Sequence, residues 1–166
     1  MASAFRRKVA IALGSNVGDR HATLNAAIEA LRPIVDDLRP SSFYDTPYVG
    51  SPPAEAGLHE TPPNVLNVAV VGSSALDAHA LLERLLAIEL DFGRTRPYGG
   101  APRTLDLDLI LYGDVIIDEP GLQVPHPRFR ERRFVLEPLA EIAPDWTDPV
   151  SGRSISELLG LLAKSG

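Results

Sequence analysis

The stretch Thr104-Leu105-Asp106-Leu107-Asp108-Leu109-Ile110-Leu111-Tyr112 alternates acidic and apolar residues with a period of two. In a strand, side chains two apart share a face and their Cα atoms lie about 6.5 to 7 Å apart. The spacing therefore predicts a strand that presents Asp106 and Asp108 together. Leu105, Leu107, Leu109 and Leu111 fall on the other face and are expected to root it in a core. Asp is disfavoured in strands, and like charges side by side repel. A divalent cation would remove that cost, because one or two carboxylates, several waters and substrate phosphates complete a magnesium octahedron. A pair at this spacing could also serve two ions, one on each reacting oxygen of an in-line displacement. The bland alternative is a strand whose aspartates face water.

Working upstream, Gly93–Arg103 is a loop rich in Gly, Pro and Arg, with Arg94, Arg96 and Arg103 just before the acidic strand. Downstream lie Arg128, Arg130, Arg132 and Arg133, so seven of the sixteen Lys and Arg residues occupy two short windows. Phosphoryl transfer needs cations on non-bridging oxygens and metal on the reacting phosphorus, and an acidic pair beside an arginine loop supplies both. His126, in Val124-Pro125-His126-Pro127, is held by proline on both sides and reads as a fixed ring. Asn67 is polar inside an apolar strand, and its amide offers the donor and acceptor that a pterin or purine edge needs, although a bond to nearby backbone is the ordinary use. Gly14-Ser15-Asn16-Val17-Gly18-Asp19 lacks the Lys-Ser/Thr of a Walker loop and is read as a strand-to-helix turn. His21, His59 and His79 have no ligand spacing.

The remaining elements alternate. Val9–Leu13 reads as a buried strand and Leu24, Ala27, Ile28 and Leu31 recur at helical spacing behind Asp19, a suitable cap. Ile34–Tyr48 is a partly polar or irregular strand, and Gly50–Pro63, with four prolines, is a surface loop. Asn64–Val71 is a strand, Leu76–Leu90 a helix begun at Asp77, and Val115–Ile117 with Leu122–Val124 a hairpin turning at Asp118–Gly121. Arg130–Ile142 reads as a helix, and Ser154-Ile155-Ser156-Glu157 is a capping box opening the last one. Strands interleaved with helices give a sheet with helices packed on it.

Length and composition narrow the function. A chain of 166 residues suits one domain spanning 1–166. No apolar run is long enough for a bilayer, and Val9–Leu13 is too short for a signal sequence, so a cytoplasmic protein with no membrane partner is expected. With no cysteine, any metal must be held by oxygen or imidazole. A net charge of −6 argues against nucleic acid, and the strands lack exposed stacking aromatics, which disfavours an RNA-binding or regulatory module. Metal-dependent glycosyl or nucleotidyl transfer remains an alternative use of the Asp-x-Asp pair.

The order and spacing of seven segments resemble one family. These are Ala10–Asn16, Ser42–Pro47, Leu66–Val70, Ile88–Arg94, Pro102–Asp108, Val124–Pro127 and Arg132–Leu139. The chain looks like a 6-hydroxymethyl-7,8-dihydropterin pyrophosphokinase of folate biosynthesis. The resemblance implies an α+β, ferredoxin-like sandwich with a mainly antiparallel central sheet. It implies two Mg2+ ions on Asp106 and Asp108 with ATP bound, and Arg94 and Arg103 gripping the phosphates as catalytic residues. Glu89, His126 and Arg132 would reach ATP; Thr46, Pro47, Val49, Asn67 and Phe134 would hold the pterin. The implied partners are ATP and 6-hydroxymethyl-7,8-dihydropterin, acting on a monomer, and 50–63 and 93–103 match the family's closing loops. Gly100 and Val65 stand where many members carry Trp and another aromatic, with Tyr98 a possible substitute ring.

Overall fold

The computed structural model describes residues 6–16, 18–47, 64–93 and 105–165. In chain order these form β1 (Arg7–Ser15), α1 (Arg20–Leu31), β2 (Asp36–Pro40), β3 (Tyr44–Thr46), β4 (Val65–Ser74), α2 (Ala78–Gly93) and β5 (Asp106–Tyr112). A hairpin of β6 (Ile117–Glu119) and β7 (Leu122–Val124), a 3-10 turn at Phe129–Glu131, α3 (Arg133–Ile142) and α4 (Ile155–Ser165) follow. Local chemistry starts α1, α2 and α4 where the sequence predicts. Asp19 accepts from the Ala22 N–H at 3.1 Å and Asp77 from the Ala80 N–H at 2.8 Å. Ser154 and Glu157 exchange bonds of 2.9 and 3.1 Å, the reciprocal capping box.

The central sheet runs β2-β4-β1-β5, with β3 also on β4, and every pairing is antiparallel. Each of β1-α1-β2 and β4-α2-β5 crosses over one intervening strand, which is the ferredoxin-like split βαβ arrangement. Strand alternation sorts the core into two layers. Val9, Ile11 and Leu13, Leu66, Val68 and Val70, and Leu105, Leu107 and Leu109 pack beneath α1 and α2. Ala10, Ala69, Val71, Ile110 and Leu111 face Phe129, α3 and α4. Each fully buried Leu or Ile contributes about 1.5 to 3 kcal/mol.

The structure revises several expectations. Ala10 pairs with Leu111 but Ile11 with Leu109, so Ile110 is an extra residue in β5. This bulge turns Leu111 away from Leu105, Leu107 and Leu109 and into the layer under α3. Strand β1 continues through Gly14 and Ser15, which are therefore strand and not turn residues. The partly polar stretch after α1 divides into β2 and β3. The expected helix from Arg130 is a 3-10 turn and a separate α3, parted at Arg132 by extended backbone at φ −111° and ψ 100°. The hairpin turn is shorter than expected, because Glu119 pairs with Leu122 and Gly121 takes φ 85° between them.

At Gly72 of β4 an added Cβ would lie 2.5 Å from Val35 Cγ1 and 2.6 Å from the Asp36 carbonyl oxygen. Backbone cannot yield as a side chain does, so Gly72→Ala is expected to cost about 1 to 3 kcal/mol. Urea unfolding measures it; an unchanged midpoint would show that β2 lifts from β4 freely.

Candidate active site

One row of residues crosses the sheet. Tyr44 of β3 pairs with Asn67 of β4, Asn67 with Gly14 of β1, and Gly14 with Asp106 of β5. Paired residues share a face, and Ala12, Ala69 and Ile110 show that it is the one under α3. Asp108 follows in the next row, opposite Ala12. The acidic pair, exposed at Asp106 and half-buried at Asp108, thus shares a surface with the buried amide of Asn67. Asn67 Nδ2 donates to Thr46 Oγ1 at 2.6 Å and to the Val65 carbonyl at 3.3 Å. Both its hydrogens are thereby engaged, which leaves Oδ1 as the atom facing the Gly14 gap.

Of the other predicted residues, His126 and Glu89 lie beside β5, and Arg132 and Phe134 lie beside each other. The His126 N–H donates to the Ile110 carbonyl at 3.0 Å, tying the segment after β7 to β5. Burial pushes the pKa of the His126 ring down; the negative charge of Asp108 opposes this, while Arg132 and Arg128 add to it. Its Nδ1 accepts from the Arg128 N–H at 3.1 Å, so the neutral ring carries its proton on Nε2. The Arg132 guanidinium lies 5.5 Å from the centre of the Phe134 ring, in the first turn of α3. On the far side of β5, Glu89 of α2 accepts from the Leu107 N–H at 2.6 Å and so fixes the backbone between the two aspartates. Pro47 is exposed at the end of a described segment; Val49, Arg94 and Arg103, with the loops 50–63 and 93–103, lie outside the described residues apart from the backbone of Gly93.

Residues 10–144 match the sequence profile of 7,8-dihydro-6-hydroxymethylpterin-pyrophosphokinase, HPPK. The chain belongs to the HPPK family. A relative from Synechocystis sp., named 2-amino-4-hydroxy-6-hydroxymethyldihydropteridine pyrophosphokinase, is 42% identical over 151 residues, 90% of this chain and 73% of that protein. One of the same name from Methylorubrum extorquens is 38% identical over 158 residues, 94% of each. Among solved structures, wild-type Plasmodium falciparum HPPK-DHPS matches with a TM-score of 0.75 at 13% identity. That match covers 99% of this chain but 46% of the longer one, and it supports the fold alone.

Against that family background, three features escape a reading of the sequence. Of the four downstream arginines, Arg130 is engaged elsewhere: its Nε and Nη2 reach the fully buried Asp148 at 2.6 and 2.8 Å. The downstream basic window therefore offers fewer free guanidinium groups than its four arginines suggest. Glu141 of α3 accepts from Tyr44 Oη at 2.8 Å and from the backbone and hydroxyl of Ser42, joining the helix that carries Phe134 to the strand that carries Thr46. Burial first, then Glu141, pushes the Tyr44 hydroxyl up to about 12. Arg20 holds Asp45 with two bonds of 3.1 Å and the Asn64 carbonyl at 3.0 Å, bracketing both ends of the segment between β3 and β4. No periodicity marks these pairs, since their members are far apart in the chain. Of the incidental histidines, His79 meets Glu119 at 3.0 Å and His21 lies against Phe43; His59 is outside the described residues.

Proposed function

We propose that this HPPK-family chain transfers the diphosphate of ATP to the hydroxymethyl oxygen of 6-hydroxymethyl-7,8-dihydropterin, in the cytoplasm and as a monomer. The pterin oxygen bonds to the β-phosphorus, the bond from that phosphorus to the α-phosphate oxygen breaks, the hydroxyl proton is lost, and AMP leaves. The observation that carries the reading is the row Asn67, Gly14 and Asp106, with Asp108 in the next row of the same face: a buried amide and an acidic pair separated by a glycine, in a chain of this family. No helix among the described residues is long and apolar enough to cross a membrane.

Asp106 and Asp108 fit the metal that the family implies. Among the described residues no three His, Asp or Glu side chains converge, so a pair of carboxylates is what this site offers. Two hard oxygen donors suit Mg2+, which keeps waters and takes its other ligands from phosphate. They would hold two ions when ATP is bound, whose positive charge offsets that of the transferred phosphates. The family resemblance supplies the remaining roles, and the positions of the described residues among them support it. Asn67 Oδ1 accepts from an N–H of the pterin, next to Thr46 and Pro47, and Phe134 stacks on the ring. Arg132 and the His126 Nε2–H face the phosphates, while Glu89 steadies β5. Arg94 and Arg103 complete the phosphate grip, and Val49 the pterin pocket.

Product analysis tests the reading: ATP and the pterin alcohol should give AMP and pterin diphosphate in equal amounts. ADP as product would mean an ordinary kinase, and release of free pyrophosphate a nucleotidyl transferase. Asn67→Ala is expected to weaken pterin binding by about 1 to 3 kcal/mol while sparing an ATP analogue. Calorimetry with each ligand checks this, and an equal loss for both would remove the amide from the pterin site.

A further inference from the structure

We infer that Gly14 is a positioning residue for the acceptor substrate: the side chain it lacks leaves the space in which the pterin ring crosses β1 between Asn67 and the acidic pair. The inference rests on the proposed reaction and adds a residue to it. Glycine weakens a strand, so its presence inside β1 needs a cause. Backbone conformation is not that cause. Among the described residues the glycines that take positive φ are Gly18, Gly113, Gly121 and Gly152, and Gly14 is not one of them. Packing is only a partial cause. A Cβ at Gly14 would meet Val65 Cγ1 at 3.3 Å and Asn67 Oδ1 at 3.4 Å, contacts that a side chain relieves by moving a few tenths of an ångström. Gly72 is the contrasting case, where the obstacle is backbone at 2.6 Å.

Position is the remaining cause. The missing Cβ points to the same side as the Asn67 amide, since that amide oxygen is among its nearest atoms. Gly14 pairs with Asn67 on one side and with Asp106 on the other. With strands about 4.8 Å apart, the amide and the carboxylate are rooted about 10 Å from each other, and Gly14 is midway. An acceptor held at its ring by Asn67, with its oxygen brought to the acidic pair, must pass over this point. The preceding residues of the same face, Ala10 and Ala12, carry a methyl group each, and β1 becomes bare where the row reaches both functional groups.

The experiment compares wild type with Gly14→Ala, Val65→Ala and the double variant. It measures calorimetric binding of the pterin alcohol and, separately, of Mg2+ with a non-hydrolysable ATP analogue, together with thermal melting. Gly14→Ala is expected to weaken pterin binding at least about tenfold, as one misplaced methyl group does in a fitted pocket, and to leave nucleotide binding within about twofold. The double variant, freed of the 3.3 Å contact with Val65, should remain as weak relative to Val65→Ala. Pterin binding within about twofold of wild type, equal loss of both ligands, or recovery in the double variant would each overturn the inference. A wild type that binds no pterin at all would instead overturn the proposed reaction, and the inference with it.

Discussion

Asp108→Ala and Asp106→Ala are each expected to fold as the wild type does and to turn over at least about a thousandfold more slowly, a loss of roughly 4 kcal/mol of transition-state stabilisation. The fold should survive because neither carboxylate belongs to the apolar layers, and alanine removes a like-charge pair from one strand face. The catalytic loss follows from the negative charge that must be neutralised on the transferred diphosphate: the two carboxylates mounted on β5 would hold the divalent cation that does so. Steady-state rates across a magnesium titration, alongside circular-dichroism melts, give the answer. If either variant kept the wild-type magnesium dependence, the metal would have to be placed elsewhere.

A second large effect is expected on stability. Asp148 has no exposed surface and accepts two bonds from Arg130, the Val150 and Ser151 N–H groups at 3.0 and 3.3 Å, and the Ser151 hydroxyl at 2.6 Å. Burial alone would raise its pKa, yet these donors, Arg130 first, bring it from 3.8 down to about 2. Asp148→Ala strands those donors and a mostly buried guanidinium, at a cost of about 3 to 5 kcal/mol in urea unfolding at neutral pH. The sign with pH is fixed by the depressed folded value. The carboxylate's contribution is complete above the unfolded pKa near 4 and is lost as pH falls toward about 2. The gap between wild type and variant should therefore narrow by about 2 kcal/mol over that interval. A variant as stable as wild type at pH 7 would show the pair to be dispensable.

What the sequence revealed was what local chemistry controls. Period-two alternation located the acidic strand, and single capping side chains located the starts of α1, α2 and α4, because those signals span only a few residues. The adjacency of Asn67, Gly14 and Asp106 could not be read, since it depends on the register of three strands separated by helices. Taken alone, Gly14-Ser15-Asn16 looks like punctuation, and only the pairing of β1 with its neighbours shows Gly14 and Ser15 to be sheet. The partner of Arg130 is hidden for a related reason: charge density along the chain does not disclose that a buried carboxylate eighteen positions later claims the guanidinium.

The extra residue at Ile110 has a consequence for how such a chain can change its length. Because β5 reverses its inside-outside phase there, the halves of the strand before and after Ile110 obey opposite parity. Removing one residue of Leu109–Leu111 would straighten the strand yet leave Asp106 and Asp108 opposite Gly14 and Ala12 and Tyr112 opposite Val9, because the bulge holds one residue more than the ladder needs. Gene variants one codon shorter at this point should thus keep the acidic face and lose only the packing of one bulged side chain, whereas a codon removed between Asp106 and Asp108 would break their shared face.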